Sequence, residues 1–371
     1  MRLLHITSVY KPSIGGIQDV VANLVRRARN AGMEADVAHV ASGLTSSEHG
    51  DGDARVFTLR RLGHRWLGWA PALGKLARRY DLLHVHDPQV GALTLSLCGV
   101  ARHVPALLST HGGFFHNDNA AAAKLLHARV SAPMLLQRYR RILASSHTDL
   151  GYFGKMARQV VLAENGVDTS RFAGAASSQL NLTRWIYWGR LARNKRLDAL
   201  LHLIASLAQA GLRIDLAICG SDFDGTLPAL QQLTSTLGIG SQVSFRLGPD
   251  DKALRREINA RSVFVLPSEY EGFGLSLLEA MSAGLVCICR NAEPMNVLGG
   301  EAATLLAFDN GPGDVQAVRQ LLTADAVDVH HRIAAGVARA ATFDWSTRFQ
   351  PFLQLYEECA FAAPSRCHPA I

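Results

Sequence analysis

Short apolar runs alternate with amphipathic stretches along this chain, which predicts buried parallel strands that each lead into a helix. The pattern is clearest around one loop. The apolar run Val263–Leu266, bounded by Pro267, predicts a strand, and Leu275–Met281 predicts a helix that ends at Ala283-Gly284. The loop between them therefore lies at the carboxyl end of a parallel strand, where open α/β sheets bind ligands.

The rest of the chain repeats this alternation, and its 371 residues suffice for two α/β domains. In the first half, strands are predicted over Leu3–Val9, Ala35–Ala41, Asp81–His86, Ala106–Ser109, Ile142–Ser145 and Val160–Ala163, with helices over Gln18–Ala31 and Ala120–Arg141 and a polar loop over Thr45–Asp53. In the second half, strands are predicted over Trp185–Trp188, Arg213–Cys219, Val243–Leu247 and Cys287–Arg290, with helices over Leu197–Ala210 and about Trp345–Phe361 and a linker over Ala173–Gln179.

The loop Glu271-Gly272-Phe273-Gly274 combines groups that suit a phosphorylated sugar. Its glycines let the backbone approach a ligand closely, and the start of the following helix offers unpaired N–H groups to a phosphate. Glu271 in the loop and Glu279 inside the helix could each accept hydrogen bonds from the vicinal hydroxyls of a sugar ring. The alternative is an ordinary helix start, with Glu271 as a first-turn acid and Glu279 on a solvated face.

Further candidate groups follow other predicted strands. Gly15-Gly16 follows the first strand and could bring backbone amides against a phosphate, although a tight turn is the commoner explanation. Arg190 and Lys195 follow the first strand of the second half. Two cations at this position can neutralise a diphosphate, and surface charge before a helix is the alternative interpretation. His111 follows the strand Ala106–Ser109, and a buried structural histidine is its alternative interpretation.

Charge is unevenly distributed between the two halves. Residues 1–164 contain 20 Lys/Arg and 11 Asp/Glu, a balance of +9, and the remainder contains 18 and 20, a balance of −2. A basic half favours an anionic partner such as nucleic acid, a phospholipid surface or a phosphorylated acceptor.

The stretch Arg55–Arg79 contains seven basic residues, no acid and two tryptophans. This composition suits a lipid interface, and a solvated basic helix whose tryptophans pack on its own sheet is the alternative. The chain opens directly into a strand, with no secretory signal and no apolar run of the roughly 18–20 residues that span a membrane. We expect a cytoplasmic protein with six reduced cysteines, associated peripherally with the inner face of the plasma membrane.

The spacing of Glu271 and Glu279, separated by seven residues, resembles the signature of retaining glycosyltransferases of family 4, as do Glu-Gly-Phe-Gly and Glu-Ala-Met. The resemblance covers nearly the whole chain. It implies the GT-B fold, with two Rossmann-like α/β domains whose parallel sheets face each other across a cleft. The implied domains are an acceptor-binding domain (residues 1–172), a nucleotide-sugar-binding domain (173–345), a helix that crosses back onto the first domain (346–361) and a tail (362–371).

The resemblance also implies a role for each candidate residue. Gly15 and Gly16 would cover the donor diphosphate, Arg190 and Lys195 would clamp it, and His111 would touch the transferred sugar. Glu279 would hold the ribose and Glu271 the sugar hydroxyls. The remaining candidates are the donor-loop residues Gly272, Phe273, Gly274 and Leu275, the acceptor-side His116, and the acceptor or membrane residues Arg60, Arg61, Arg65, Trp66 and Trp69.

No metal or other cofactor is expected, because enzymes that this chain resembles use the basic pair instead. Asp222-Phe223-Asp224 has the form of an Asp-x-Asp metal motif, but we interpret it as a loop and helix cap.

Within the family, the chain is similar to the α-mannosyltransferases of xanthan- and acetan-type exopolysaccharide assembly. Their donor would be GDP-mannose, and their acceptor a cellobiose on a polyprenyl diphosphate. A UDP-sugar donor, another acceptor, or a nucleotide-sugar epimerase of the same fold are the alternatives. A nucleic-acid-binding protein would explain the basic half but not the two glutamates and the glycine loops.

Overall fold

The computed structural model describes residues 1–11, 15–42, 47–63, 68–97, 103–112 and 125–361, which form two compact units. Unit 1 is Met1–Gly166 together with the described residues from Ser346 onward, and unit 2 is Val167–Trp345. The boundary therefore lies after Gly166 rather than after residue 172. Val167 donates its N–H to the carbonyl of Phe343 at 2.8 Å, and Phe172 is buried in the core of unit 2, so this segment belongs to unit 2.

Unit 1 is built on a twisted α/β sheet of eight described strands. They are β1 (Arg2–Thr7), β2 (Glu34–Ala41), β3 (Ser47–Asp51), β4 (Ala54–Arg60), β5 (Leu82–His86), β6 (Ala106–Ser109), β7 (Arg141–Ala144) and β8 (Val160–Leu162). The order is β3-β4-β2-β1-β5-β6-β7-β8, and every pair is parallel except β3 with β4. The central strands are buried because helices cover parallel sheets on both faces, which explains their continuous apolar runs.

Short helices connect these strands. They are α1 (Gly16–Asn30), α2 (Pro71–Ala77), α3 (Ala92–Leu97), a π-helical turn (His127–Ser131), α4 (Ala132–Leu136) and α5 (His147–Phe153). The helix predicted over Ala120–Arg141 is partly π-helical and ends at Leu136 rather than at Arg141, and its first predicted residues lie outside the described part of the chain.

Unit 2 is a second α/β layer structure whose sheet is entirely parallel. Its strands are β9 (Arg184–Trp188), β10 (Asp215–Gly220), β11 (Val243–Leu247), β12 (Val263–Leu266), β13 (Val286–Arg290) and β14 (Ala303–Leu306), in the order β11-β10-β9-β12-β13-β14. Its helices are α6 (Leu197–Gln209), α7 (Leu227–Thr236), α8 (Asp251–Asn259), α9 (Leu275–Ala283), α10 (Met295–Gly299), α11 (Pro312–Leu322) and α12 (Ala326–Ala341). The predicted fold class, two α/β domains with parallel sheets, is confirmed.

Two local predictions are wrong, and one alternative interpretation does not hold. The polar loop predicted over Thr45–Asp53 contains β3, an exposed antiparallel edge strand whose polar side chains show no apolar alternation. The linker predicted over Ala173–Gln179 belongs to unit 2, because Ala175 is buried in its core and the N–H of Ala176 bonds the carbonyl of Ala283. The alternative interpretation of Arg55–Arg79 as one basic helix does not hold, because its described residues include parts of β4 and α2.

The last described helix, α13 (Trp345–Phe361), contributes large side chains to unit 1. Tyr356 is fully buried and its hydroxyl hydrogen-bonds Nδ1 of His84 at 2.8 Å. Phe352, also buried, packs its ring 6.2 Å from the His84 ring, centroid to centroid. The helix therefore forms part of the core of unit 1, although it is distant from that core in sequence.

Unit 1 also buries three histidines on neighbouring strands. His5 on β1 is in register with His84 on β5, and Thr7 is in register with His86. His5, His84 and His86 are all fully buried. Burial lowers the pKa of His5 to about 3 and holds the pKa values of His84 and His86 well below the usual value of 6.5.

Replacing Phe352 with alanine should destabilise unit 1 by about 3–5 kcal/mol, because it removes a buried ring and leaves a cavity. Thermal unfolding of the full chain measures the effect. Glu357→Ala, an exposed position on the same helix, is the matched control and should change the midpoint little. Equal midpoints for the two variants would show that α13 is not part of the core of unit 1.

Stability should fall as the pH drops from about 7 to 5. The unfolded chain protonates its histidines near pH 6.5, whereas the folded chain keeps His5, His84 and His86 neutral. Below pH 6.5 the unfolded state therefore binds more protons, and the free energy of unfolding decreases. Urea unfolding at several pH values measures the slope. His330→Gln, an exposed position, should leave that slope unchanged. A free energy of unfolding that is constant over this range would contradict the buried, neutral histidines.

Candidate functional site

Gly274 precedes the N-terminus of α9, in a conformation and a space that favour glycine. Gly274 precedes the helix with φ +96°, a left-handed conformation that favours glycine. A Cβ at this position would also lie 2.9 Å from Cδ1 of Leu298. The helix ends on Gly284, again left-handed, as the sequence predicts. The first N–H groups of α9 thus lie after the loop that follows β12, and they have no side-chain cap among the described residues.

Lys195 and Glu271 form an ion pair that connects two loops of unit 2. Nζ of Lys195 lies 2.6 Å from Oε1 of Glu271, and their side chains are only 12% and 11% exposed. The hydroxyl of Ser268 donates to the same carboxylate oxygen at 2.7 Å. Lys195 follows β9 and Glu271 follows β12, and these two strands are neighbours in the sheet. The sequence predicted both residues for the donor site but not that they contact each other.

Backbone hydrogen bonds reinforce the same junction. The N–H of Glu269 donates to the carbonyl of Asn194 at 3.0 Å, and the side-chain amide of Asn194 donates to the carbonyl of Tyr270 at 3.2 Å. Lys195 itself lies in a short 3₁₀ turn, Arg193–Lys195. The loop after β9 and the loop after β12 are therefore held together before any ligand binds.

Arg190 lies on the exposed side of this junction. Its guanidinium carbon is 4.6 Å from the centre of the Phe223 ring, and among the described residues no carboxylate lies within ion-pair distance of it. The hydroxyl of the buried Tyr187 donates to the carbonyl of Arg190 at 2.9 Å, which fixes the backbone there. Burial raises the pKa of Tyr187 well above its usual value, so its hydroxyl stays protonated as a donor. The exposed guanidinium is thus available to an anion.

Glu279 has two partners that the sequence did not predict. Its Oε1 accepts from the guanidinium of Arg171 at 2.7 Å, and its Oε2 accepts from the indole N–H of Trp188 at 3.1 Å. Arg171 also pairs with Asp251 at 2.6 Å. The carboxylate therefore faces inward from α9 and does not lie on a solvated helix face. Trp188 ends β9, so a search for polar side chains at strand ends would have found it, whereas Arg171 belongs to no motif.

In unit 1, His111 lies two residues after the end of β6. Its φ is +48°, which is uncommon for a residue with a side chain and is found where function constrains the backbone. Its Nε2 lies 2.8 Å from Nδ1 of His86. Burial lowers the pKa of His111 to about 4, so the ring is neutral near pH 7.

The carboxylate of Asp149 on α5 holds the backbone on both sides of His111, and the sequence did not predict this residue. One of its oxygens accepts from the hydroxyl of Thr110, from the N–H of Gly112 at 2.9 Å and from the hydroxyl of Ser145 at 2.9 Å. Asp149 is buried, so these bonds are shielded from water. The strained conformation of His111 is thereby fixed by its neighbours.

The other candidates lie apart from these two clusters. Gly15 precedes α1 in an extended conformation, and a Cβ there would lie 2.8 Å from Oε1 of Gln18; Gly16 is the first residue of the helix. Arg60 and Trp69 are exposed and Arg61 is partly buried. His116, Arg65 and Trp66 lie outside the described residues.

The Asp222-Phe223-Asp224 segment is bound to backbone groups. Asp222 accepts from the N–H of Thr226 at 2.7 Å, and Asp224 accepts from the N–H of Arg193 at 3.1 Å. Both carboxylates thus act in a loop and at a helix start, as the sequence predicts for this segment.

The chain is similar to known proteins along almost its whole length. Residues 14–171 match the family profile Glycosyltransferase Family 4, and residues 176–325 match Glycosyl transferases group 1. A GDP-mannose:cellobiosyl-diphosphopolyprenol alpha-mannosyltransferase of Komagataeibacter xylinus is 31% identical over 96% of this chain and 93% of its own length. The enzyme of that name from Xanthomonas oryzae pv. oryzae is 27% identical, over 96% of this chain and 97% of its own length.

Solved structures show the same fold. Sucrose-phosphate synthase from Thermosynechococcus elongatus aligns with a TM-score of 0.75 at 19% identity, over 98% of this chain and 100% of that one. HepE from Anabaena, in complex with UDP and glucose, aligns with a TM-score of 0.70 at 18% identity, over 96% of this chain and 100% of that one. In the described part of the chain, no helix has the length and apolar character needed to cross a membrane. With its 31% identity to a glycosyltransferase along almost its entire length, the chain belongs to glycosyltransferase family 4.

Proposed function

We propose that this protein transfers mannose from GDP-mannose to a polyprenyl-diphosphate-linked oligosaccharide of the cellobiosyl type, with retention of the anomeric configuration. The names of the relatives from Komagataeibacter and Xanthomonas carry this proposal, because the similarity covers at least 96% of the chain in two of them. A reaction with this donor and this acceptor would belong to bacterial exopolysaccharide biosynthesis.

The donor would bind in unit 2 at the carboxyl ends of β9 and β12. The first N–H groups after Gly274, which have no side-chain cap among the described residues, and the exposed guanidinium of Arg190 are suited to the diphosphate. The hydroxyls of the ribose would donate hydrogen bonds to the carboxylate of Glu279, which already accepts from Arg171 and Trp188 and can accept several hydrogen bonds. Glu271, oriented by Lys195, would hold the hydroxyls of the sugar.

Catalysis would consist mainly of stabilising the leaving group. As the bond to the sugar breaks, negative charge grows on the diphosphate, and Arg190, Lys195 and the N–H groups of α9 offset it. The acceptor would attack from the same face, with the departing phosphate as base; a double displacement is the alternative. His111 would touch the sugar, and Gly15 and Gly16 would cover the diphosphate. No metal has a role in this scheme.

A transfer assay tests the proposed function. Radiolabelled GDP-mannose, with UDP-glucose as the competing donor, is incubated with cellobiosyl-diphosphopolyprenol in excess EDTA, and the labelled lipid is extracted. We expect labelled lipid from GDP-mannose only, at an unchanged rate in EDTA. Label released as free sugar or as an epimer in the absence of acceptor would favour an epimerase. Activity that is lost in EDTA and restored by Mg²⁺ or Mn²⁺ would indicate that Asp222 and Asp224 bind a metal.

We further propose that unit 1 binds the anionic inner face of the plasma membrane, where a lipid-linked acceptor keeps its diphosphate. The balance of +9 over residues 1–164 supports this, as does the exposure of Trp69 (49%) beside Arg60 and Arg61. Leu62 pairs with Trp69 through two 2.8 Å backbone hydrogen bonds and is also exposed. Arg55 has a different role, because it pairs with the buried Asp36 at 2.6 Å.

A second set of exposed apolar side chains lies in the same unit. Leu126, Val130 and Met134 recur at every fourth residue of the helical segment after residue 125, and each is more than half exposed. Exposed apolar side chains beside basic residues suit the boundary between headgroups and acyl chains. The sequence alone did not identify these residues, because they are neither tryptophans nor charged.

Glu279→Gln should weaken GDP binding by about 1.5–3 kcal/mol while leaving the fold intact, because charged hydrogen bonds to the ribose are lost. Isothermal titration calorimetry with GDP measures the change. Glu301→Gln, an exposed acid of the same unit, is the control and should bind like the parent. Unchanged GDP affinity in Glu279→Gln would remove the carboxylate from the ribose site.

Arg190→Ala and Lys195→Ala should each lower kcat by more than they raise KM for the donor, since their charge matters most as the leaving group departs. Steady-state kinetics with GDP-mannose separate the two constants. Lys195→Ala should also destabilise unit 2, because it leaves Glu271 without its ion-pair partner, whereas the exposed Arg190 should not. An effect confined to KM would mean that these cations bind the donor without assisting the reaction.

The parent protein should sediment with vesicles that contain phosphatidylglycerol at low salt, and less so at high salt. Replacing Arg60 and Arg61 with glutamine and Trp69 with serine should release it while sparing GDP binding. Lys252 and Arg256, two exposed cations of unit 2, provide a charge-matched control when changed to glutamine. No sedimentation of the parent, or equal sedimentation of the triple variant, would leave these residues as a solvated surface.

A further inference from the structure

Three histidines of unit 1 form one continuous hydrogen-bonded chain. Nδ1 of His5 lies 3.0 Å from Nε2 of His86, and Nδ1 of His86 lies 2.8 Å from Nε2 of His111. The rings of His86 and His111 are stacked, with centroids 5.1 Å apart, as are those of His5 and His86 at 5.3 Å. The chain runs from β1 across the end of β5 to the second residue after β6.

The two ends of this chain differ in their surroundings. Nε2 of His5 is buried and has no hydrogen-bond partner within the part of the protein that the structure describes. His111, by contrast, is partly exposed, and its Nδ1 has no hydrogen-bond partner among the described residues, so this is the end from which a ligand can be reached.

The number of N–H protons on the three rings determines which end of the chain is protonated. All three rings are neutral near pH 7 because burial lowers their pKa values, so each carries one N–H. Two of the three protons occupy the two hydrogen bonds, and the third lies either on Nε2 of His5 or on Nδ1 of His111. A buried N–H without an acceptor costs its full desolvation free energy, whereas an N–H at the accessible end can meet water or substrate.

We propose that His86 and His5 are positioning residues that hold His111 in the tautomer with its proton on Nδ1. In that state His111 is a hydrogen-bond donor, not a base, toward the transferred sugar. This role for His111 rests on the proposed function. The tautomer itself does not, because it follows from the hydrogen-bond chain and the buried nitrogen of His5.

A metal ion on the same histidines is the competing arrangement. Nitrogen atoms of His5, His84 and His86 lie within 4.8 Å of one another. Both nitrogens of His84 are already engaged, however, with the hydroxyl of Tyr356 and with the hydroxyl of Ser109, each at 2.8 Å. An ion would have to break these bonds and those of the chain, so the geometry favours the proton chain.

Nitrogen-15 NMR of the full chain with labelled histidine tests the tautomer directly. Two-bond ¹⁵N–¹H correlations distinguish a protonated Nδ1 from a protonated Nε2, and loss of one signal set in His111→Asn assigns the residue. We expect a neutral His111 protonated on Nδ1 between pH 6 and 8. Protonation on Nε2 would overturn the proposal, and so would stoichiometric zinc in the purified protein by elemental analysis.

Variants of the chain then test the positioning role. His86→Leu should shift His111 toward protonation on Nε2. It should also lower kcat/KM for the donor about tenfold, because the hydrogen bond from His111 to the sugar is lost. His86→Asn, which keeps an amide donor near the position of Nδ1, should restore the tautomer. Tyr356→Phe removes the partner of His84 in the same cluster and should leave His111 unchanged.

These outcomes separate the two proposals. If His111 is protonated on Nδ1 in the parent but no mannose is transferred, the proposed function fails and the tautomer stands. If mannose is transferred but His86→Leu leaves both the tautomer and kcat/KM unchanged, the positioning role is wrong. Should His86→Leu fail to fold, the comparison of His86→Asn with the parent provides the test instead, since loss of the Nδ1 tautomer or of kcat/KM in that variant would contradict the positioning role.

Discussion

The ion pair between Lys195 and Glu271 is the interaction on which the proposed donor site of unit 2 depends. It joins the loop after β9 to the loop after β12, with both side chains nearly buried. Burying two charges is unfavourable unless each keeps its partner, and removal of one typically costs about 3–5 kcal/mol. The pair therefore fixes both loops in one arrangement, and that arrangement leaves the N–H groups of α9 and the guanidinium of Arg190 accessible.

In unit 1, too, buried partners fix a residue of the proposed site, but the histidines involved are neutral. His111 stands at the end of β6 in a strained conformation, held by the carboxylate of Asp149 on either side and by His86 behind it. In both units the residue that would meet the substrate follows a parallel strand, and its orientation is fixed by a buried partner from a neighbouring element. Preorganisation of this kind removes the cost of arranging the groups during the reaction.

Much of this could be predicted from sequence, and the failures have physical causes. The strand, loop and helix around Glu271 followed from apolar periodicity and from the glycines at both ends of α9. Strand β3 was missed because a polar, exposed edge strand shows no apolar alternation. The contacts of Glu279 with Arg171 and Trp188 depend on tertiary packing between segments far apart in sequence, and so does the hydrogen bond from His86 to His111. Local patterns contain no information about such pairs.

The most direct test of the account is a crystal structure of the full chain with GDP-mannose. We predict the diphosphate against the first N–H groups of α9 and the guanidinium of Arg190, the ribose on the carboxylate of Glu279, and the mannose beside Glu271, with Lys195 still contacting that glutamate. A nucleotide bound away from the carboxyl ends of β9 and β12, or a diphosphate that contacts neither α9 nor Arg190, would contradict it.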